Sequence, residues 1–303
     1  MLNADEPEKA DLIWRNGAIM SADGAVSARD RGFTLGDGAF ETMRLREGRI
    51  VFWADHRARL LRGLAFLGVP TPACLDEAPE GVFELARRRG LAAGDAVARL
   101  TVTRGLSAQG LAPASNATPT VIATLAAAPE ATPTPRQLTP YTEWRRGVEA
   151  ASQFKHLSGY APNIAAARAA RSVGADDAIL FNEAGRVVSI SIGNIYAIDA
   201  AGCAVTPPLC DGALPGVCRA ILISRGLVDE APIDRSRLDE DLLLVSNVAR
   251  GVQTAELADG PRWSTATAAQ KKAADRLQAA FADALAADAL AADAAPGAAR
   301  MED

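Results

Sequence analysis

The sequence predicts an α+β protein of two domains, and three observations lead to that prediction. The chain has 303 residues, whereas a single hydrophobic core stops growing at about 250–300 residues. Segments of strand character and segments with helical spacing of apolar residues occur in both halves. Between the halves lies APEATPTPRQ, which is rich in proline and threonine and has little to bury. We therefore expect a small α+β domain at 11–127, a linker at 128–137 and a larger α/β domain at 138–290.

The first half predicts two hairpins, two helices and two further strands. LIWRNGAIM indicates a hairpin that turns at Asn16-Gly17, and AFETMRLREGRIVFW a second hairpin that turns at Glu47-Gly48. Asp55 is a good N-cap residue for the helix that follows, whose leucines recur at helical spacing. The remaining segments are a helix around EGVFELARRRG and the strands AVARLTVTR and TPTVIATLA.

The second half predicts a sheet with helices inserted between its strands. A strand is expected near GVEAAS, and a helix at NIAAARAARSV that ends at Gly174. The strands DAILFN and RVVSISIGNIYAI follow, joined by a turn at residues 183–185. Next come a helix in LPGVCRAILI, a strand in DLLLVSN and a closing alanine-rich helix. We expect the polar start, 1–10, and the tail, 291–303, to be disordered.

Charge and apolar content favour a protein that acts on small molecules. The net charge of -5 gives no basic surface for nucleic acid or for an anionic membrane. No apolar run approaches the roughly 20 residues that span a bilayer, and the start MLNADEPEKADL lacks the apolar core of a signal peptide. We therefore expect a cytoplasmic protein with a small-molecule substrate and neither a nucleic acid partner nor a membrane.

Cysteine and histidine usage argues against a disulfide framework and a metal centre. Four cysteines without paired spacing are expected to be free thiols. We expect His56 to cap or pack the helix that carries Arg59, and His156 to have a structural role. The cysteines are Cys74, Cys203, Cys210 and Cys218.

The stretch FKHLSGYAPN contains a lysine that stands apart from the rest of the chain. Of 32 basic residues, only four are lysines, and between positions 10 and 270 Lys155 is alone. Such a bias toward arginine is compatible with an accident of composition. A lysine can also be retained because its amine forms Schiff bases, which arginine cannot do at ordinary pH. The motifs elsewhere in the chain decide between these interpretations.

The stretch LPGVCR predicts an anion site. Backbone N–H groups at Gly216, Val217 and Cys218 lack intrahelical partners where the helix begins, and such groups bind phosphate. Arg59, in the helix after the second hairpin, can add a guanidinium to the same anion.

Together these motifs resemble those of the class IV aminotransferases, the fold-type IV enzymes that depend on pyridoxal 5′-phosphate (PLP). The resemblance covers residues 12 to about 256 and follows the family's order and spacing. It depends on DRGFTLGDGAFETMR, HRARL, FKHLSGY, GNIYAI before TPPL, and LPGVCR. The fold that it implies has two domains with the cofactor at their interface, and the chain is expected to form a homodimer.

The resemblance assigns a role to each matching residue. Lys155 is implied to bind the cofactor covalently and to act as general acid and base, and Tyr160 to donate a hydrogen bond to the cofactor's ring oxygen. Phosphate binding is implied for Arg59 and for the N–H groups of Val217 and Cys218, where Cys218 replaces a threonine found in many members. The remaining implied contacts are Asn194 for the cofactor and Phe40, Val248 and Ala249 for the substrate.

Ser189 is the main departure from the family. The family places a glutamate 34 residues after the lysine, where its carboxylate keeps the pyridine nitrogen protonated, and a neutral hydroxyl stabilises that cation far less. One interpretation is that transamination is weakened more than elimination. The other is that the site has decayed and the protein is a non-catalytic cofactor-binding homologue.

Three stretches favour one branch of the family. They resemble the matching stretches of 4-amino-4-deoxychorismate lyases more than those of branched-chain or D-amino acid aminotransferases. The three stretches are residues 101–113, residues 246–251 and the KHL that begins at Lys155. Those lyases release pyruvate and leave 4-aminobenzoate for folate synthesis. Gln109 stands where a basic residue is expected, and Tyr160 is equally typical of branched-chain aminotransferases, so an aminotransferase with a 2-oxo acid acceptor remains the alternative. Because the lyase substrate carries two carboxylates, we select as substrate-binding candidates Arg44, Arg104 and Arg250.

Overall fold

The computed structural model describes residues 12–107, 110–113, 117–130, 134–257 and 263–291. Several predictions fall outside these ranges: the disordered start at 1–10, residues 292–303 of the disordered tail, residues 131–133 of the linker, and the contribution of Gln109.

The first half of the chain forms a six-stranded antiparallel sheet in the order β2-β1-β6-β5-β3-β4. Both predicted hairpins are confirmed. Asn16 and Gly17 have φ of 47° and 93°, and Glu47 and Gly48 have φ of 50° and 76°. Two consecutive positive φ angles are what a tight two-residue hairpin requires. The strands are β1 Leu12–Arg15, β2 Ala18–Ser21, β3 Gly38–Arg46, β4 Arg49–Ile50, β5 Ala96–Thr103 and β6 Thr120–Ala127.

Helices α1 Arg31–Leu35, α2 Trp53–Leu67 and α3 Ala78–Arg88 complete this half. The prediction that Asp55 caps α2 is wrong, because the helix already begins at Trp53 and Asp55 lies in its first turn. Phe52 is the N-cap, in the left-handed conformation at φ 57°. Its N–H donates to Asp288 Oδ2 at 2.7 Å, so the cap is supplied by a distant part of the chain.

The second half forms an eight-stranded mixed sheet in the order β12-β11-β10-β13-β14-β7-β8-β9. The β7 strand pairs in parallel with both neighbours, β14 and β8. Strands β8, β9 and β10 are buried along their whole length, as expected for a sheet covered on both faces. The strands are β7 Arg136–Arg146, β8 Asp177–Asn182, β9 Val187–Ile190, β10 Asn194–Ile198, β11 Ala204–Thr206, β12 Asp229–Glu230, β13 Leu242–Asn247 and β14 Gly251–Leu257.

Two strand predictions in this half are wrong. The strand expected near GVEAAS lies earlier, at β7, and residues 150–153 form a 3-10 turn. RVVSISIGNIYAI is not one strand, because the chain turns back at Gly193, whose carbonyl accepts from Ile190 N at 3.0 Å. A Cβ at Gly193 would lie 2.3 Å from Ser246 O, so the turn requires glycine. This turn gives β9 and β10 different neighbours in the sheet.

Four helices cover the second sheet: α4 Ala161–Ser172, α5 Val217–Ser224, α6 Arg237–Glu240 and α7 Ala268–Ala291. The core under α5 and α7 includes Leu222, Leu244 and Phe281. Among helices within the described ranges, none is both long and apolar enough to cross a membrane.

The connection between the sheets runs from the end of β6 at Ala127 to the start of β7 at Arg136. The last two residues of the predicted linker, 136–137, therefore belong to the second sheet. The first sheet also contacts the segment that follows β7, because Phe40 N in β3 donates to Lys155 O at 3.0 Å and Ala39 forms a β-bridge with His156. This contact places Lys155 between the two sheets.

Candidate active site

Lys155 lies in a cavity of about 470 Å³ between the two sheets. Its amine is 4.8 Å from the centre of the Phe40 ring. Desolvation lowers the pKa of this amine to about 7, with Arg59 and Arg99 adding to the effect and Glu41 opposing it. A large fraction of the amine is therefore neutral near pH 7. The neutral form is the nucleophile that Schiff-base chemistry needs.

Most of the site residues predicted from the sequence line this cavity. They come from β3, α2, the segment around Lys155, the β9–β10 turn, the start of α5 and the loop after β13, and no single segment brings them together. The predicted residues that line the cavity are Phe40, Arg59, Lys155, Tyr160, Ser189, Asn194, Val217, Cys218, Val248, Ala249 and Arg250.

Arg44 and Arg104 do not line the cavity of this chain, so their role in substrate binding stays a prediction. Arg44 forms an ion pair with Asp95. Arg104 donates to Asp37 at 2.7 Å. It also donates to two carbonyls at the C-terminal end of α2, those of Leu67 at 2.6 Å and Gly68 at 2.7 Å. Both guanidinium groups are occupied within the fold, and Arg104 satisfies carbonyls that a helix end leaves open.

Glu41 anchors a buried charge cluster behind the cavity. Arg59 donates to both of its carboxylate oxygens, at 2.8 and 2.5 Å, and His56 Nδ1 lies 2.8 Å from one of them. Burial alone would raise the pKa of Glu41, but the charge and hydrogen bonds of Arg59, with the His56 contact, reverse the effect and hold the pKa well below its usual range. The carboxylate stays ionised and fixes the Arg59 guanidinium against the cavity wall.

Arg59 also links this cluster to the start of α5. Its Nη1 donates to Pro215 O at 2.9 Å, one residue before the helix cap at Gly216. Asn194 Nδ2 holds the same loop by donating to Leu214 O at 3.0 Å. A Cβ at Gly216 would lie 2.0 Å from Asn194 Oδ1, so glycine permits this close approach.

These contacts form a site suited to a phosphate group. No side chain caps α5, so the backbone N–H groups at Val217 and Cys218 face a position beside Arg59. His56 Nε2 is buried and has no hydrogen-bond partner among the described residues, although His56 lines the cavity. The guanidinium of Arg59 and the start of α5 together supply donors that fit the phosphate of PLP.

The cavity wall near Ser189 carries no acid. Ser189 is 9% exposed and lines the cavity. Within the part of the chain that the structure describes, the lining contains neither aspartate nor glutamate. Glu183 is not among the lining residues, so it does not replace the family's glutamate.

Tyr160 faces the cavity on the same side as Lys155. Its ring centre is 4.8 Å from that of Phe40. Burial raises the pKa of the Tyr160 hydroxyl to about 12, although Arg59 opposes the shift. The hydroxyl is therefore protonated at neutral pH and available as a hydrogen-bond donor.

Two cavity arginines were missed at the level of sequence. Arg99 lies in β5 with its Cζ 3.6 Å from the centre of the Phe40 ring, and Arg146 ends β7. A charge in the middle of the apolar strand AVARLTVTR was the available signal for Arg99. Nothing in the sequence pattern distinguished Arg146. His156, which was expected to be structural, also lines the cavity, with Nδ1 2.9 Å from Ser158 Oγ.

Comparison with known proteins agrees with this geometry. A protein of Methanocaldococcus jannaschii, provisionally named branched-chain-amino-acid aminotransferase, is 30% identical over 220 residues, covering 70% of this chain and 73% of the relative. The aminodeoxychorismate lyase of Bacillus subtilis is 28% identical over 243 residues, covering 78% and 81%. A solved structure from Legionella pneumophila, provisionally named 4-amino-4-deoxychorismate lyase, superimposes with a TM-score of 0.74 at 26% identity, covering 86% of this chain and 95% of that one.

The family model for class IV amino-transferases matches residues 38–256. This range contains Lys155, Arg59 and the start of α5, which together form the phosphate and amine sites described above. The chain therefore belongs to the class IV aminotransferase family and is a PLP-dependent aminotransferase or lyase.

Proposed function

We propose that this enzyme is a 4-amino-4-deoxychorismate lyase that releases 4-aminobenzoate and pyruvate. The observation that carries the proposal is the charge of the cavity. Its described lining contains arginines and a lysine but no carboxylate. A site of this kind favours a substrate with more than one carboxylate. The 28% identity to the Bacillus subtilis lyase supports the same choice.

The chain's own residues divide the work of holding the cofactor and moving protons. Arg59 and the backbone N–H groups of Val217 and Cys218 hold the phosphate, Tyr160 donates to the ring oxygen, and Asn194 positions the loop before α5. When bound, the cofactor supplies the electron-withdrawing system that makes the Cα–H bond of an amino substrate acidic. Lys155, whose pKa is about 7, accepts and returns protons at neutral pH.

Ser189 favours elimination over transamination in this proposal. A hydroxyl stabilises a neighbouring cation far less than a carboxylate does, and the described cavity lining offers no other acid. Full transamination depends on a strong electron sink more than pyruvate release does. The loss of the carboxylate should therefore cost the enzyme less as a lyase than as an aminotransferase.

The alternative is an aminotransferase of branched-chain or D-amino acids that uses a 2-oxo acid acceptor. Its support is the 30% identity to the Methanocaldococcus jannaschii relative, whose provisional name indicates that activity. The charged cavity favours it less, because branched-chain side chains offer no second anion for the additional arginines.

A direct assay separates the two activities. The purified enzyme is given aminodeoxychorismate without any 2-oxo acid, and 4-aminobenzoate is followed by its fluorescence. We expect turnover in the wild type, none in Lys155→Ala, and normal turnover in the control Lys272→Ala, which alters an exposed lysine. Faster conversion of leucine, valine or D-alanine with 2-oxoglutarate would overturn the lyase proposal.

We infer further that the chain works in the cytoplasm as a homodimer of two-domain subunits, with the domain boundary between β6 and β7. Support for association comes from Phe33, which is 72% exposed, and Leu111, which is 83% exposed. Arg31 ties α1, which carries Phe33, to the segment of Leu111 by donating to the carbonyls of Gly110 and Leu111, at 2.9 and 2.7 Å. Sedimentation velocity of the wild type and of Phe33→Ser tests the association.

A further inference from the structure

Arg146 reaches the cavity from the second sheet and is held by one polar contact. Its Nη1 donates to Asn163 Oδ1 at 2.7 Å. Asn163 Nδ2 in turn donates to Ser191 O at 2.6 Å, so the amide is fixed at both ends. All three residues line the cavity. The guanidinium is therefore oriented by the fold, and most of its N–H groups remain available to a ligand.

The charge of Arg146 has no acid partner within the described ranges. No described carboxylate forms an ion pair with it, and its pKa is lowered by burial, with Tyr160 and Glu149 only partly compensating. Other buried arginines of this fold do have acid partners, Arg59 with Glu41 and Arg104 with Asp37. A partly buried cation without a counterion is costly unless a ligand supplies the charge.

Arg99 presents a comparable group from the first sheet. It lies over the Phe40 ring and forms no ion pair with any described acid, and burial lowers its pKa despite the opposing effect of Tyr160. The two guanidinium groups thus belong to different sheets and approach the same cavity beside Tyr160. Each has the planar fork that binds a carboxylate through two parallel hydrogen bonds.

We propose that Arg146, positioned by Asn163, binds the second carboxylate of a dicarboxylic substrate while Arg99 binds the first, and that Arg146 thereby determines specificity for dicarboxylic over monocarboxylic ligands. The proposal rests on the proposed function, because it identifies the second anion site of that enzyme.

Binding to the PLP-loaded protein tests this role without depending on turnover. Chorismate is the dicarboxylic probe, since it has a hydroxyl where the substrate has its amine, and 4-aminobenzoate is the monocarboxylic probe. Dissociation constants are measured by isothermal titration calorimetry. We expect Arg146→Gln to weaken chorismate binding about 10- to 100-fold, as for the loss of a hydrogen-bonded charge pair, and to change 4-aminobenzoate binding by about twofold or less.

Three variants separate a direct contact from a structural effect. Arg146→Lys keeps the positive charge without the planar guanidinium fork. Its affinity for chorismate should lie between that of Arg146→Gln and that of the wild type. Asn163→Ala should weaken the binding of chorismate by several-fold and leave the binding of 4-aminobenzoate unchanged, because it removes the hydrogen bond that orients the Arg146 guanidinium. Arg145→Gln is the matched control: Arg145 is the preceding residue, is exposed and is not among the lining residues, so both probes should bind as in the wild type.

Two results would overturn the proposal. One is Arg146→Gln binding chorismate as tightly as the wild type, and the other is equal weakening of both probes. Failure of the lyase function leaves a different pattern: no 4-aminobenzoate is formed by the wild type, yet Arg146→Gln still loses dicarboxylate binding selectively. In the steady state, an increase in KM for the dicarboxylic substrate with kcat preserved would support the assignment.

Discussion

Replacing Glu41 with glutamine should destabilise the cofactor-free protein far more than an ordinary surface substitution. Glutamine keeps the volume of the side chain but removes the charge that faces Arg59 and His56. Glu41 and His56 are fully buried and Arg59 is 6% exposed, so water cannot compensate. Leaving one partner of a buried ion pair without its counterion costs about 3–5 kcal/mol. We expect a decrease of that size in the free energy of unfolding.

Urea unfolding of the apoprotein, followed by circular dichroism, measures this decrease. Glu84→Gln is a matched control, because Glu84 also pairs with two arginines, Arg87 and Arg88, but does so at the surface. That control should unfold like the wild type, since exposed pairs are screened by solvent. Saturating PLP should reduce the effect of Glu41→Gln, because its phosphate gives Arg59 another anion. Equal losses in the two variants would refute the assignment of Glu41 as the buried counterion.

The effect of Glu41→Gln should also depend on pH with a defined sign. The pKa of Glu41 is lowered by folding, so its contribution to stability is complete above its ordinary value of 4.5. That contribution is lost progressively as the pH falls toward the folded pKa. The difference in unfolding free energy between wild type and variant should therefore shrink below pH 4.5. A difference that stayed constant down to pH 3 would contradict the depressed pKa.

Three further predictions concern the amine, the missing acid and the closing helix. The rate at which the apoprotein binds PLP covalently should increase as the pH rises through about 7, because the pKa of Lys155 is lowered to that value and only the neutral amine reacts. A rate measured by stopped flow that does not change from pH 5.5 to 9 would contradict this. Ser189→Glu should raise transamination relative to pyruvate release, measured with both substrates on one preparation, and an unchanged ratio would argue against the role given to the hydroxyl. Asp288→Ala should lower the free energy of unfolding by about 1 kcal/mol, because it removes the acceptor of the Phe52 N–H. Asp283→Ala, at an exposed position of the same helix, serves as the control, and equal urea midpoints would exclude the cap.

Local chemistry made much of the fold predictable. The Asn16-Gly17 and Glu47-Gly48 turns each contain a glycine, which adopts positive φ without strain, and the closing alanine-rich segment forms α7. Predictions failed where a distant partner decided the outcome. Asp55 could have capped α2, but Asp288 supplies the acceptor from the other end of the chain. The apolar run after Gly185 could have continued as one strand, but the chain turns at Gly193, which packs so closely against Ser246 O that only glycine fits.

The site was predictable to the extent that its residues belong to ordered motifs. Lys155, Arg59, Val217 and Cys218 could be chosen because each motif implies its own chemistry, a nucleophilic amine or a phosphate donor. Arg44 and Arg104 were chosen as isolated charges, and the structure uses them in ion pairs outside the cavity. The type of an arginine side chain does not reveal whether a protein carboxylate already neutralises it. That depends on which strands become neighbours.

By itself the sequence indicated the family and predicted a Schiff-base lysine at Lys155 and a phosphate site at the start of α5, and it placed Ser189 where the family has a glutamate. Each depends on a residue type at a position within one local motif. Only the tertiary structure decided that Arg99 and Arg146 face one cavity while Arg44 and Arg104 do not, and that no described acid replaces the missing glutamate. The physical reason is that electrostatic interactions depend on distance and burial. Both are set when the two sheets pack around Lys155.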